Sequence, residues 1–309
     1  MRNTAVNEIN RLAGTDDKIC LMTGDLGFGV LDSFIKDHPD RFINAGISEQ
    51  GMTAIAAGMA LEGMTVFTYS IGNFPSLRCL EQIRNDICYH NANVKIIALG
   101  SGFAYGQLGM SHHATEDIGA MRSLPNMHIF SPADPLETTA AVRMAYETPG
   151  PCYIRLGKGG EKNLRERKIE SLLCAQELVA QSEINILSTG AVTAEAVRAT
   201  ELLRERGITA GVFSFPVLKP IDEASINRIA ALSKMIFTLE EHNVAGGFGT
   251  LIADALIKKG GYIPPVHKLG LQDVFPSIVG DAAFLRNYYG FSAEKIAVAV
   301  ESAMGSEMK

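Results

Sequence analysis

The chain has 309 residues, 47% of them hydrophobic and 20% charged, with a formal net charge of -6. That length suits two domains better than one core, and the balance is that of a soluble globular protein. The acidic charge leaves no basic stripe for nucleic acid, and no apolar run is long enough to span a bilayer.

The opening MRNTAVNEINRLAG lacks the continuous apolar core of a signal peptide, and residues 4–13 have helical spacing. Cys20, Cys79, Cys88, Cys152 and Cys174 are scattered, with no C-x-x-C pair. They read as buried free thiols in a reducing cytoplasm, not as zinc ligands. Ile19-Cys20-Leu21-Met22 reads as a buried parallel strand. It ends in the glycine-rich turn T-G-D-L-G-F-G, ahead of a helix over 31–37. Doubly wound folds place ligands at such turns. Asp25 stands there, either as a helix-capping turn residue or as part of a site.

The stretch RFINAGISEQGMTAIAAGMALEG, residues 41–63, organises the rest. A short strand at 42–44 breaks at Ala45-Gly46, and Ser48 is placed to cap a helix with its hydroxyl. Residues 49–61 are small and apolar, so this helix has no polar face and is buried at a tight contact. Glu49, in its first turn, reads from spacing as a helix-dipole carboxylate; the alternative is a catalytic Glu, because a buried charge needs a partner or a proton.

A strand over 65–69 leads to the loop Ser70-Ile71-Gly72-Asn73-Phe74-Pro75 and a helix over 77–89. Arg78 and Arg84 on that helix suit ion pairs across a dimer or a solvated face. The strand at 94–99 runs into Gly100-Ser-Gly-Phe-Ala-Tyr-Gly106. This misses the dinucleotide fingerprint, since the last glycine is one residue late and no acidic residue follows at the right distance. Next, His112 and His113 are adjacent, so their side chains point apart and cannot converge on a metal. A strand over 127–130, the turn S-P-A-D-P and a helix over 136–147 follow, with Asp134 placed to cap. The strand at 152–156 opens into Gly157-Lys158-Gly159-Gly160.

Residues 164–170 are charged and read as an exposed linker, dividing 1–163 from 171–309. The second part repeats the strand–helix alternation, with strands at 184–188, 210–213, 233–240 and 266–269 and helices at 191–206, 221–232 and 249–258. The S-T-G turn after the first of these strands suits either an anion or a simple helix cap. The expected fold class is α/β, two doubly wound domains with mostly parallel sheets and helices on both faces.

G-I-S-E-Q-G followed by M-T-A-I-A-A-G-M-A resembles the pyrimidine-binding domain of the transketolase family of thiamine diphosphate enzymes. L-E-Q-I-R-N-D, S-P-A-D-P, G-M-S-H and E-E-H-N-V-A-G-G-F-G extend the resemblance over nearly the whole chain. It implies that Glu49 bonds N1′ of the cofactor's aminopyrimidine, favouring the imino tautomer whose 4′-imine deprotonates thiazolium C2. That role suits a carboxyl group in a dry site. It places Phe74 on the pyrimidine ring, where stacking contributes ~1 kcal/mol beyond area burial. It puts Asp25 at a subunit contact near the cofactor, and His112, with His113 as a weaker candidate, in the substrate channel. Lys158 matches a phosphate-holding Arg, as a point charge without bidentate geometry. Glu240, Glu241 and His242 stay structural, in a domain used for scaffolding and dimer contact.

The family's other half carries the diphosphate and Mg²⁺, with a Gly-Asp-Gly run and a later Asn. Neither Gly24-Asp25-Leu26 nor Gly280-Asp281-Ala282 has that pattern. The chain therefore looks like the separate C-terminal half of a split enzyme, needing an N-terminal subunit that supplies the Mg²⁺ ligands. The expected assembly is an α2β2 heterotetramer in which this chain also dimerises, acting on a sugar without nucleic acid or membrane. Leu108 replaces the family's hydroxyl-reading Asp, and Gly100 to Gly102 replaces a phosphate-binding His or Arg. Each lost charge-assisted bond is worth roughly 1.5–3 kcal/mol, which argues against a standard pentose phosphate. The leading reading is two-carbon ketol transfer from a ketose to an aldehyde. The alternatives are a deoxyxylulose-phosphate synthase-like or 2-oxo-acid dehydrogenase β-type subunit, or a non-catalytic scaffold.

Overall fold

The structure is a computed structural model that describes residues 1–166, 169 and 171–307. Arg167, Lys168 and Glu170 of the expected linker lie outside the described residues, as do Met308 and Lys309.

Apolar residues of the first strands alternate between two faces, as strand geometry requires. Ile19 and Leu21 pack with Val6, Ile9, Phe34, Ala141 and Val142 on one face; Cys20 and Met22 pack with Met52, Ala56, Ile83 and Ile118 on the other. Helices therefore cover both faces of a seven-stranded sheet. Its order is Val217–Lys219, His128–Phe130, Cys152–Leu156, Val94–Leu99, Thr65–Ile71, Ile19–Thr23, Phe42–Asn44. All of its pairings are parallel except that of Val217–Lys219 on His128–Phe130. A second sheet has the order Val266–Leu271, Met235–Asn243, Ile184–Ser188, Gly211–Ser214, Gln176–Val179, with only the last strand antiparallel. The α/β class with two mostly parallel sheets is as the sequence implies.

Four differences from the sequence reading have physical causes. Val217–Lys219, unread in the sequence, belongs to the second part of the chain yet completes the first sheet, because its apolar residues Val217 and Leu218 are buried there. The expected helix over 77–89 is broken into a tight turn at Leu77–Cys79, one α-turn at Leu80–Gln82 and a wide π-turn at Ile83–Cys88. The wide turn shows in bonds five residues apart, such as Tyr89 N to Arg84 O at 3.0 Å. Ser48 precedes the helix Glu49–Leu61 but makes no side-chain cap. Cys174 is exposed, whereas the other four thiols are buried.

The two sheets are locked together. Phe213, Ile226, Ile236, Phe248 and Ile252 of the second part share one core with Ile83, Ile87 and Met121 of the first. Across the same boundary, buried Arg155 donates to Glu241 O at 3.0 Å, while within the first part it donates to Asp117 Oδ2 at 2.8 Å and to Ala114 O at 2.7 Å. Glu240 accepts the amides of Phe248 and Gly249 at the start of the helix Phe248–Lys259, a helix-terminus role. Glu241 pairs with Arg286 at 2.8 Å. These acidic side chains bond within the second part of the chain.

Candidate active site

The carboxyl ends of the first sheet's strands converge, and the turns that leave them carry the candidate residues. Gly24 follows Ile19–Thr23, Asn44 ends the edge strand, and Ser70 closes Thr65–Ile71. The helix Glu49–Leu61 begins beside them and presents Glu49, only 2% exposed, in its first turn; contrary to the sequence reading it is buried on one side only, with Ala54, Ile55, Gly58 and Leu61 exposed. Ser70 Oγ donates to Glu49 Oε1 at 3.1 Å, and Arg78 Nη1 donates to Oε2 at 3.0 Å. Thr53 Oγ1 donates to the Glu49 carbonyl at 2.7 Å. Gly24 lies against the carboxylate so closely that a Cβ there would sit 3.1 Å from Oε1.

Arg78 also lies over Phe74, its guanidinium carbon 4.4 Å from the ring centroid, a cation–π arrangement. His112 meets the same ring edge-on at 5.1 Å, and Ser111 Oγ is 3.0 Å from His112 Nδ1. Glu49, Phe74 and His112 are thus brought into one group, with Arg78 at its centre. Sequence reasoning misses Arg78 and Ser70 as site residues. The available signal for Arg78 is its place four residues after Phe74 at the start of a helix.

Asp25 is next door. It has a left-handed φ of 57° and a two-way clip with Asn44, donating from its amide at 3.1 Å and accepting at Oδ1 from Nδ2 at 3.0 Å. It therefore ties two strand ends together and does not cap the following helix. His113 faces away from the group. Its side chain is buried, Nε2 lies 3.4 Å from Gly106 O, and its ring meets Phe103 edge-on. Burial lowers its pKa, with a smaller opposing effect of the Gly106 contact. That inward placement removes the geometric basis for a substrate contact by His113. Lys158 also stands apart from Glu49, exposed and 5.1 Å from the Tyr105 ring. It borders a separate cavity of about 610 Å³ with Ser101, Lys162, Arg198 and Arg286.

Among the described residues no group of three or more His, Cys, Asp or Glu side chains is placed to hold a metal ion, and no helix is long and apolar enough to cross a membrane.

A doubly wound sheet thus presents a buried acid at the start of a small-residue helix, the arrangement that the resemblance to the transketolase family implies. Comparison with known proteins agrees: the family "Transketolase, pyrimidine binding domain" matches residues 1–161, and "Transketolase, C-terminal domain" matches 174–296. The chain is 36% identical over 277 residues to a putative transketolase C-terminal section of Methanocaldococcus jannaschii, covering 89% of this chain and 86% of that one. It is 34% identical over 264 residues to one subunit of the apulose-4-phosphate transketolase of Actinobacillus succinogenes, 85% of each chain. A solved structure described as a split gene transketolase, an inactive beta4 tetramer, superposes with a TM-score of 0.89 at 36% identity, over 98% of each chain. The chain belongs to the transketolase family, as a C-terminal subunit of its split form.

The residues fit the aminopyrimidine of thiamine diphosphate, the family's cofactor. The absent Cβ of Gly24 leaves the carboxylate approachable, Phe74 offers a flat apolar ring, and the buried Oδ1 of Asn73 lacks a hydrogen-bond partner.

Proposed function

We propose that this chain supplies the pyrimidine side of a split transketolase, which moves a two-carbon ketol unit from a ketose donor to an aldehyde acceptor. The observation that carries the reading is the buried Glu49 carboxylate, held by Ser70 and closely approached by Gly24. Bound there, thiamine diphosphate supplies the nucleophilic carbon. Glu49 holds and moves a proton at N1′, and Ser70 fixes the carboxylate's direction from Oε1. Phe74 gives the pyrimidine ring an apolar face and helps to exclude water.

His112, on the exposed loop beside Phe74, is placed for substrate hydroxyls or protons. Lys158 supplies a cation for an acidic group. Similarity to a subunit of an apulose-4-phosphate transketolase supports a phosphorylated sugar. Leu108, 56% exposed in the turn before His112, offers no polar group to a substrate hydroxyl. Asp25 shapes the rim that meets another subunit, and His113 packs the loop from beneath.

Mg²⁺ and the diphosphate belong to a separate N-terminal subunit in this reading. The assembly is an α2β2 heterotetramer in which this chain also pairs with itself. Ile47, 83% exposed two residues before the helix Glu49–Leu61, and Ile55 and Leu61 within it, 52% and 57% exposed, support a covered face there, since large exposed apolar side chains mark interaction sites when they cluster.

Glu49→Gln in the assembled complex tests the central role. Gln keeps the shape of the side chain but cannot share the proton. We expect ketol transfer to fall by roughly 10²–10⁴-fold, with an unchanged circular dichroism spectrum. Full activity in this variant would remove Glu49 from the chemistry.

A further inference from the structure

We infer that Arg78 is a placeholder for the cofactor's aminopyrimidine, which occupies both of that ring's contacts in the free subunit and must swing out when the cofactor binds. The inference rests on the proposed function above and adds a competitor to it.

One guanidinium makes two contacts. Its Nη1 is 3.0 Å from Glu49 Oε2, and its carbon lies 4.4 Å from the Phe74 centroid. These are the acid and the ring assigned to the pyrimidine. A guanidinium is planar, donates in its own plane and stacks on aromatic faces, so it copies the features by which an aminopyrimidine would be held. While it bridges the two residues, the space between carboxylate and ring is filled.

Arg78 is also free to leave. Its side chain is 46% exposed, against 2% for its carboxylate partner. Among the described residues, Glu49 is its only hydrogen-bonding or ionic side-chain partner and Phe74 its only ring contact. The carboxylate, by contrast, does not follow it outward, because Ser70 holds Oε1 and Glu49 is itself buried. The mobile member of the pair is therefore the cation. The physical benefit is a compensated charge: without Arg78, the free subunit would carry a buried carboxylate with Ser70 as its only side-chain partner among the described residues, which is costly.

Competition has a readout distinct from turnover. Thiamine diphosphate with MgCl₂ is titrated by calorimetry into the complex of this chain with its N-terminal subunit, for wild type, Arg78→Met and Arg78→Lys. Met keeps the stem and removes the competitor, so the dissociation constant falls by roughly tenfold. Lys keeps the charge but not the planar stacking, and binding tightens by less. In the free chain, thermal unfolding of Arg78→Met, Glu49→Gln and the double variant gives a coupling between the two sites, and this coupling disappears in the cofactor-loaded complex. Unchanged or weaker cofactor binding in both Arg78 variants would overturn the placeholder and leave the proposed function standing. A wild-type complex that binds no thiamine diphosphate would overturn both.

Discussion

Gly24 and Glu49 meet at a distance that a methyl group would make tight, and this contact bears on the precision of the site. Glycine is needed at position 24 for space, not for backbone freedom, since a Cβ would stand 3.1 Å from Oε1 and 3.3 Å from the carboxyl carbon. Gly24→Ala must therefore push the carboxylate aside by a few tenths of an ångström. Proton transfer is sensitive to such shifts. We expect ketol transfer to fall by about tenfold or more while unfolding stability changes by less than about 1 kcal/mol. An active variant with unchanged cofactor affinity would show that the carboxylate has slack. Ser70 and Arg78 complete the same environment from a different strand and helix. Arg78 reaches Glu49 across 29 positions in sequence, so no local pattern announces the pair; the sheet creates it by holding the ends of Phe42–Asn44 and Thr65–Ile71 on either side of Ile19–Thr23. Glu49, one acid at the head of a helix of small apolar residues, reads from spacing as a helix-dipole carboxylate, and only the family resemblance makes it legible as a candidate site residue. The inward turn of His113 is not legible, because adjacent histidines look alike until one is packed against Phe103.

At the scale of elements, the helix Pro135–Glu147 shows how local signals and the fold combine. Asp134 caps it as the sequence implies, accepting from the Glu137 amide at 2.8 Å. Glu137 returns its carboxylate to the Ala133 amide at 2.7 Å, a variant of the capping box, and also accepts from Ser214 Oγ at 3.0 Å and Arg165 Nη2 at 2.5 Å. The capping Asp is readable from S-P-A-D-P; the reach of Glu137 to Ser214 in the other sheet is not. Burial pushes the Glu137 carboxyl up to about 7 from 4.5, outweighing the Ala133 amide and Arg165, which act the other way. Between those values the native state binds more protons than the unfolded chain, so this group's contribution to stability declines as pH rises from 4.5 and is lost above about 7. Glu137→Gln does not titrate. Its stability relative to wild type should therefore improve from about pH 5 to about pH 8, by on the order of 2–3 kcal/mol. Urea unfolding at both pH values checks this, and a relative loss with rising pH would contradict the assignment. Strands are the most legible elements because continuous apolar runs bounded by glycine mark them. The three-residue strand Val217–Lys219 escapes because it is short and pairs outside its own half. The helix after Phe74 is misread because its pattern is helical but its bonds change from tight to wide along its length.

On the scale of the whole molecule, the two halves are one body for the purposes of the site. A core shared by both sheets and the buried Arg155–Asp117 pair fix the loop 114–117, and with it the segment that carries His112. The second part of the chain thus supports the site from behind, while the open side bears Phe28 and Ile47. Under the proposed function the pyrimidine side of the site lies on this chain and the diphosphate and metal side on a separate N-terminal subunit, so cofactor binding should appear only on assembly. Calorimetry with thiamine diphosphate and Mg²⁺, on this chain alone and then mixed with its N-terminal subunit, tests this most directly. The account predicts no measurable binding by the isolated chain and saturable binding by the mixture. Tight binding by the chain alone would contradict it, because the diphosphate and the metal would then have to be held by these residues.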